Sequence, residues 1–243
     1  MQISPLASSS LGNSYMLQDG KTSILIDCGI PIKEIKVRTD YYAPAYLDGC
    51  IVTHSHKDHS KSVKDLLKSG VNCYLSKYTI EELGLSNHHR LHTFKLDDEN
   101  FFDNRQFKIG TFDILPLAMN HDVPCAGFLI YSNVTHEKLL FATDTYYIRH
   151  KVDGLDYIMI EANYDYNILQ ERINNGDVNM AAKDRLLKSH MSIDTTIEYL
   201  KSTDLRNVKR IYLMHLSGGS ANAKEFKERV QRATGKVVIV CEE

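Results

Sequence analysis

The segment His54-Ser55-His56-Lys57-Asp58-His59 constrains this chain more than any other. It places three imidazoles and one carboxylate within six residues, directly after the apolar run Cys50-Ile51-Val52. Alternate side chains of an extended segment lie on one side, so His54 and His56 can face the same point. Asp58 and His59 supply a second pair of ligands. Neutral imidazole and carboxylate groups are the ligands that zinc and similar cations prefer, so the two pairs predict two metal ions.

Two further histidines and one carboxylate follow apolar stretches in the same way. His121 stands in a polar turn after the apolar run that ends at Leu117. Asp144 follows Leu140-Phe141-Ala142-Thr143, and His215 follows Ile211-Tyr212-Leu213-Met214. Taken singly, each is also explained as a turn-capping or hydrogen-bonded core residue. Their recurrence favours a site built at strand ends over a solvated polar loop.

The composition limits the class of protein. With 243 residues and 43% hydrophobic content, the chain can bury one large core, and we expect a single domain over residues 1–243. The formal net charge of -2 lacks the basic excess typical of proteins that bind long nucleic acids. The 5 cysteines are widely spaced and mostly in apolar runs, which is typical of reduced core residues. We expect a cytoplasmic protein without a membrane span or signal peptide.

Apolar periodicity predicts a mixed α/β protein. Short strands are expected in the first half, for example from Ser23 to Asp27, and a strand from Arg105 to Leu117 begins a second set. One helix is expected from Ser60 to Lys68 with Ser60 as its N-cap, and another from Ser192 to Lys201. Strands and helices in both halves suit two mixed sheets packed face to face with helices outside.

The pattern H-x-H-x-D-H, together with the later histidines and aspartate in chain order, resembles that of the metallo-β-lactamase-fold hydrolases. The resemblance implies an α/β fold, the four-layer αββα sandwich of that family. It also implies the ligands of each ion: His54, His56 and His121 at the first site, Asp58, His59 and His215 at the second, and Asp144 bridging the two. Flavo-diiron relatives usually carry glutamate at the position of His56. An imidazole there favours two zinc ions, or manganese, over a redox iron pair.

A separate histidine distinguishes branches of this family. Lys188-Ser189-His190-Met191-Ser192 resembles the extra histidine motif of the RNase Z and YycJ-like phosphodiesterases, which glyoxalase II thioesterases and lactamases lack. A histidine beside a metal pair can donate a proton to a leaving oxygen or bind a phosphoryl oxygen. Asp58 and His190 are therefore the predicted catalytic residues. The alternative for His190 is a surface histidine at a helix start.

Two further segments resemble the YycJ-like branch. Ile160-Glu161-Ala162-Asn163-Tyr164-Asp165 resembles its E-A-N-Y-D block, in which Glu161 would orient a ligand histidine. The turn from Leu6 to Ser14 resembles an S-x-G-N-S turn near the metal centre. The residues after His215 begin as in that branch, but two glycines depart from its spacing. The amides of Ser217, Gly218 and Gly219 are predicted to bind substrate phosphate, although a plain helix-entry turn explains them equally well.

These residues predict a two-metal phosphodiesterase in which a hydroxide held between the cations attacks phosphorus. The short interval between His121 and Asp144 excludes the long arm with which RNase Z enzymes hold transfer RNA, and the net charge gives no general attraction to polynucleotide. Both observations favour a small cyclic nucleotide, as in the anti-Pycsar phosphodiesterases of phages. The alternatives are a YycJ-like DNA or RNA exonuclease, a thioester or lactone hydrolase, and a catalytically silent scaffold.

Two further expectations concern surfaces away from the ligands. We expect a homodimer, because related phosphodiesterases pair and a partner loop could complete a cleft that has no arm. His88, His89 and His92 lie in an Asn/Arg-rich connection without matching carboxylates, which predicts a solvated loop and no third metal site.

Overall fold

Two mixed sheets account for the strands of this computed structural model, which describes residues 1–85, 88–96 and 106–241. The first sheet pairs its six strands in chain order: β1 (Gln2–Ser9), β2 (Gly12–Gln18), β3 (Ser23–Ile26), β4 (Gly49–Ile51), β5 (Cys73–Ser76) and β6 (Leu91–Phe94). Its first three strands are antiparallel, and from β3 onward each neighbour is parallel. Parallel pairing brings the carboxyl ends of β3 and β4 together.

The second sheet has seven strands, which again follow the chain from one edge to the other: β7 (Phe107–Ile109), β8 (Phe112–Met119), β9 (Cys125–Ser132), β10 (Lys138–Ala142), β11 (Tyr157–Glu161), β12 (Arg210–Met214) and β13 (Val237–Val240). The pairs β10 with β11, β11 with β12 and β12 with β13 are parallel. Helices connect the last three strands, as parallel crossovers require. The carboxyl ends of β10, β11 and β12 therefore lie side by side.

The described segments contain eight helices, four in each half of the chain. Those of the first half are α1 (Ile32–Arg38), α2 (Lys57–Ser60), α3 (Val63–Lys68) and α4 (Lys77–Glu82). Those of the second half are α5 (Tyr166–Asn174), α6 (Met180–Ser189), α7 (Ile193–Ser202) and α8 (Ala223–Thr234). None of the helices in the described segments is long and apolar enough to cross a bilayer.

Three buried apolar layers hold the elements together. The central layer combines Ile24 and Ile51 of the first sheet with Phe128 and Phe141 of the second, so the sheets pack face to face. A second layer joins the first sheet to α1 and α3, and a third joins the second sheet to α7 and α8. Successive residues of β10 alternate between two of these layers, as the pleat of a strand dictates. The result is the expected four-layer αββα sandwich.

The boundaries of several elements differ from the sequence prediction. The predicted strand from Arg105 to Leu117 is a hairpin of β7 and β8, because Gly110 turns the chain at a φ of 53°. Arg105 itself lies outside the described residues. The predicted helix from Ser60 to Lys68 begins only at Val63, with Ser62 as its N-cap, and Ser60 is instead the last residue of α2. Ser192 caps α7 as predicted. The single domain over residues 1–243 stays a prediction, which the shared central layer supports.

Candidate metal centre

The ends of parallel strands from both sheets meet at one place in the molecule. The chain leaves β3 at Asp27, β10 at Asp144 and β12 at His215, and each of these residues has a left-handed backbone with φ of 60°, 50° and 54°. The chain leaves β4 through Thr53 and His54, and α2 begins directly after His56. The two sheets thus bring side chains far apart in sequence into a single buried cluster.

The first group of candidate ligands consists of His54, His56 and His121. Nδ1 of His56 lies 3.0 Å from Nε2 of His54 and 3.3 Å from Nε2 of His121. Two nitrogens bound to one tetrahedral zinc ion are about 3.3 Å apart, since each bond is about 2.0–2.1 Å long. The spacing of the three nitrogens therefore fits one cation.

The second group consists of Asp58, His59 and His215. Oδ2 of Asp58 lies 3.4 Å from Nε2 of His59 and 3.5 Å from Nε2 of His215. Two imidazoles and a carboxylate at these separations are also a suitable donor set for a borderline divalent cation. The residues of both groups fit metal ions by donor type and by spacing.

Asp144 touches both groups. Its Oδ2 lies 3.1 Å from Nε2 of His59, while its Oδ1 lies 3.7 Å from Nε2 of His215 and 3.9 Å from Nε2 of His121. The carboxylate is buried, so its charge is shielded from water by the protein. This is the location that a bridging ligand requires.

A buried carboxylate that the sequence prediction missed supports two of the histidines. Oδ2 of Asp27 lies 2.7 Å from Nδ1 of His59, which leaves Nε2 of that ring for a cation. The hydroxyl of Thr53 donates to the same carboxylate and lies 3.0 Å from Nδ1 of His54. Asp27 follows an apolar strand, as Asp144 does, so the same signal could have identified it.

A glycine that the sequence prediction also missed allows α2 to approach the end of β3. A Cβ atom at Gly29 would lie 1.7 Å from the carbonyl oxygen of Asp58. Asn13, in the predicted N-terminal turn, donates its amide to the same carbonyl oxygen over 3.3 Å. Gly29 and Asn13 therefore fix the backbone on which Asp58 and His59 stand.

Burial and charge set the protonation of the ring nitrogens. Burial, reinforced by neighbouring histidines, holds the pKa of His54 well below its usual value, and burial also lowers the pKa of His121. Both rings are therefore neutral, which is the form that binds a metal. Burial opposes the charge of His59, yet the carboxylates of Asp144 and Asp27 raise its pKa well above the usual value. The same two carboxylates would attract a cation at this point.

His190 lies beside the second ligand group and lines the open cleft above it. Its Nδ1 is 2.6 Å from Oε1 of Glu161, and its ring stacks on that of His215 with centroids 5.2 Å apart. Burial alone would lower the pKa of His190, but Glu161 raises it to about 9. Glu161 also lies 3.5 Å from Nδ1 of the predicted ligand His215. It is thus in contact with both histidines.

The residues predicted to bind substrate are divided between two surfaces. Ser217 lines the cleft with the candidate ligands, and Gly218 lines a neighbouring cavity. Gly219 packs under Arg172, since a Cβ there would lie 2.2 Å from the guanidinium. The structure therefore brings Ser217, and neither glycine, to the described lining of the cleft.

The cleft has a volume of about 810 Å³ and opens to solvent. One wall is α6, and the candidate ligands form the floor. The described lining residues are Ser10, His56, Lys57, Asp58, Asp144, Asn163, Asn179, Ala181, Ala182, Arg185, Leu186, His190, His215 and Ser217.

The second histidine-rich segment takes no part in the cluster. His88 and His89 stack on each other with centroids 4.7 Å apart, and none of the candidate ligand groups in the described segments includes them or His92. His92 was expected in a loop, but it lies in β6 and stacks on Tyr74. Strand pairing of β6 with β5 explains the difference.

Comparison with known families identifies the class to which this arrangement belongs. A family model described as "Beta-lactamase superfamily domain" matches residues 22–216, and the chain belongs to this superfamily. Its fold implies divalent metal ions, and the histidine and carboxylate groups described above are candidate ligands for them. The protein is a metal-dependent hydrolase.

Two curated proteins are similar along most of their length. Exodeoxyribonuclease WalJ of Streptococcus pneumoniae is 30% identical over 234 residues, which are 91% of this chain and 83% of that protein. Exodeoxyribonuclease YycJ of Bacillus anthracis is 25% identical over 229 residues, with 89% and 83% covered. The chain is therefore a relative of the YycJ and WalJ nucleases.

Solved structures share the fold. The metallo-beta-lactamase fold protein YhfI from Bacillus subtilis superposes with a TM-score of 0.74 at 17% identity, over 99% of this chain and 95% of that one. The short form of human tRNase Z superposes with a TM-score of 0.58 at 15% identity, over 90% and 93%. These likenesses confirm the predicted sandwich.

Proposed function

We propose that the protein is an exonuclease that hydrolyses phosphodiester bonds of DNA with two divalent ions. One observation carries this proposal: two three-residue ligand groups share Asp144 at the floor of an open cleft that His190 also lines. The similarity to exodeoxyribonucleases along 83% of their length supports DNA as the substrate. Among the bonds that a metal-dependent hydrolase can cleave, a phosphodiester best suits two adjacent ligand groups with a histidine beside them.

The donor set supports the assignment of the metal. His54, His56 and His121 would hold one ion, and Asp58, His59 and His215 the other, with Asp144 between them. A cluster of imidazoles and carboxylates favours zinc, with manganese as the alternative. Such ions supply Lewis acidity, which neutralises charge on phosphoryl oxygens and makes water nucleophilic near neutral pH.

The residues around the ligands can orient groups and move protons. Glu161 is buried and accepts hydrogen bonds from the backbone amides of Thr145 and Met191, so its position is fixed. It holds Nδ1 of His190, whose other ring nitrogen is then available as a proton donor to the leaving oxygen. The carboxylate of Glu161 raises the pKa of His190 to about 9, which favours the protonated, proton-donating form of the ring.

A cyclic mononucleotide is the second candidate substrate. The short interval between His121 and Asp144, which β9 and β10 fill, leaves no arm for a long ligand, and the net charge is -2. The curated relatives, together with a cleft that is open to solvent, support a strand of DNA in preference.

A direct assay separates the two candidates. Purified protein reconstituted with zinc or manganese is incubated with linear DNA, closed circular DNA, a 3′,5′-cyclic mononucleotide and bis-p-nitrophenyl phosphate. We expect linear DNA to be degraded and circular DNA to persist. Equal cleavage of circular DNA would exclude an exonuclease. Hydrolysis of the cyclic nucleotide alone would favour the second candidate.

The predicted homodimer is part of the same proposal, because a partner could complete the open cleft. Sedimentation velocity at micromolar concentration tests it, and a monomer across that range would exclude it.

A further inference from the structure

A salt bridge attaches the helical wall of the cleft to the first ligand group. Nε of Arg185, on α6, donates to Oδ2 of Asp122 over 3.0 Å. The other oxygen of Asp122 lies 3.1 Å from Nε2 of His121 and 3.6 Å from Nε2 of His56. One carboxylate thus lies between the guanidinium and the histidines. Arg185 is held at a defined place on the rim of the candidate metal centre.

The rest of the guanidinium is available to a ligand. The side chain of Arg185 is 65% exposed, and among the described contacts only its Nε makes a hydrogen bond. The two terminal amino groups of arginine form a fork that matches two oxygens of a phosphate. Two basic residues, Lys57 and Arg185, belong to the described lining of the cleft, in a chain whose net charge is -2. These two cations are therefore placed to contact a phosphate chain that enters the cleft.

We propose that Arg185 binds the phosphate next to the one being hydrolysed. This inference rests on the proposed function and specifies its substrate as a strand with at least two consecutive phosphates. The scissile phosphate would lie at the ions, and the carboxylate of Asp122 separates the guanidinium from the ligand nitrogens there. The guanidinium of Arg185 is therefore placed to contact the phosphate next to the scissile one. A cyclic mononucleotide has only one phosphate and gains nothing from this contact.

The test compares Arg185→Gln with the wild-type enzyme on a short single-stranded oligonucleotide and on bis-p-nitrophenyl phosphate, which has one phosphate. A lost charge-assisted hydrogen bond predicts a fall in kcat/KM on the oligonucleotide of roughly ten- to a hundredfold, mainly through KM. The fall on bis-p-nitrophenyl phosphate should be about tenfold smaller. The slope of log KM against log salt concentration should be smaller by about one for Arg185→Gln than for the wild type.

Three controls isolate the role of the fork. Lys183→Gln removes the same charge from α6 at a residue outside the described cleft lining, and both activities should remain at the wild-type level. Arg185→Lys keeps the charge without the fork and should give an intermediate KM. Metal content, measured on each variant, should stay at the wild-type value.

Several outcomes would overturn the proposal. Equal losses on both substrates would assign Arg185 to the scissile phosphate, and a loss of metal would assign it to support of Asp122 and His121. Fluorescence anisotropy of a labelled oligonucleotide, in the presence of a chelator that removes the metal, measures DNA binding without hydrolysis. If the wild type binds but does not cleave DNA, the proposed function fails while weaker binding by Arg185→Gln still supports this contact. If the wild type does not bind, both fail.

Discussion

The two ligand groups differ in how the protein holds them. Exposure does not separate them, because each group has one partly exposed member: Asp58 is 25% exposed and His56 is 28% exposed. The difference lies in the partners of the ligand histidines. The carboxylate of Asp27 supports His59 at 2.7 Å. In contrast, the neutral carbonyl oxygen of Ser189 supports His121 at 3.0 Å.

The partner of His59 follows strand β3, whereas the partner of His121 lies on helix α6. Ser189 is the last residue of α6, so any movement of that helix changes the support of His121. A charged partner also makes a ligand imidazole more basic than a neutral partner does. We therefore expect the second group to bind its cation more tightly than the first, and four experiments can break or sharpen that comparison.

Asp144→Asn should have the largest effect, because Asp144 contacts both groups. Asparagine tolerates the left-handed backbone at this position, so folding should be preserved. We expect turnover of bis-p-nitrophenyl phosphate to fall by about a thousandfold or more, with loss of metal from both groups. Elemental analysis and circular dichroism measure the two properties. Retention of both ions would show that Asp144 does not bridge them.

Asp27→Asn should affect the second group selectively. It removes the charged partner of His59 and should weaken one of two metal-binding steps by about ten- to a hundredfold. Asp19→Asn is the matched control: Asp19 is also buried, and it accepts hydrogen bonds from Thr111 and Ser132 away from the site. The control should lower the unfolding free energy by about 1–3 kcal/mol and leave metal affinity unchanged. Equal effects of the two variants on metal affinity would contradict the role of Asp27.

Removal of metal from the wild type should occur in two steps. Titration with a chelator should release the ion of the first group at a concentration about tenfold lower than the ion of the second. Cobalt spectroscopy of the partly loaded protein, compared with the same protein carrying His121→Ala or His215→Ala, identifies which ion remains. Release in one step would mean that the two groups hold their ions equally.

His92→Ala should have the smallest effect. The residue is one of the histidines outside both groups, and it contributes a stacking contact with Tyr74 in the first sheet. We expect an unfolding free energy lower by about 0.5–1.5 kcal/mol and turnover within twofold of the wild type. A large loss of turnover would indicate a functional region that the comparison of the two groups omits.

The sequence predicts a cluster of candidate ligands because its members follow apolar strands. Asp144 and His215 stand at such positions, and the structure brings them together with the residues of His54-Ser55-His56-Lys57-Asp58-His59. The predicted layers are confirmed for the same reason, since alternation along a strand such as β10 specifies two buried faces. These features depend on local patterns.

Features that depend on distant contacts were not predicted. The pairing of Asp122 with Arg185 joins residues far apart in the chain, and no local pattern signals it. The strand β6 was assigned to a loop because its polar residues hide the pairing with β5. The helix α1 was also missed, since its few apolar residues, of which Ile35 is buried, give a weak period. In each case the structure depends on packing or pairing with an element that is distant in the sequence.

The left-handed backbones of Asp27, Asp144 and His215 have a consequence for protein engineering. A side chain in this conformation costs about 1–2 kcal/mol that glycine would not incur. Asparagine at Asp27 or Asp144 tolerates the same backbone, keeps a hydrogen-bonding oxygen and removes a buried charge, so a selection for thermal stability alone would tend to accept it. Libraries screened by melting temperature should accumulate inactive proteins at these positions, so thermostable variants of this enzyme need a simultaneous screen for turnover.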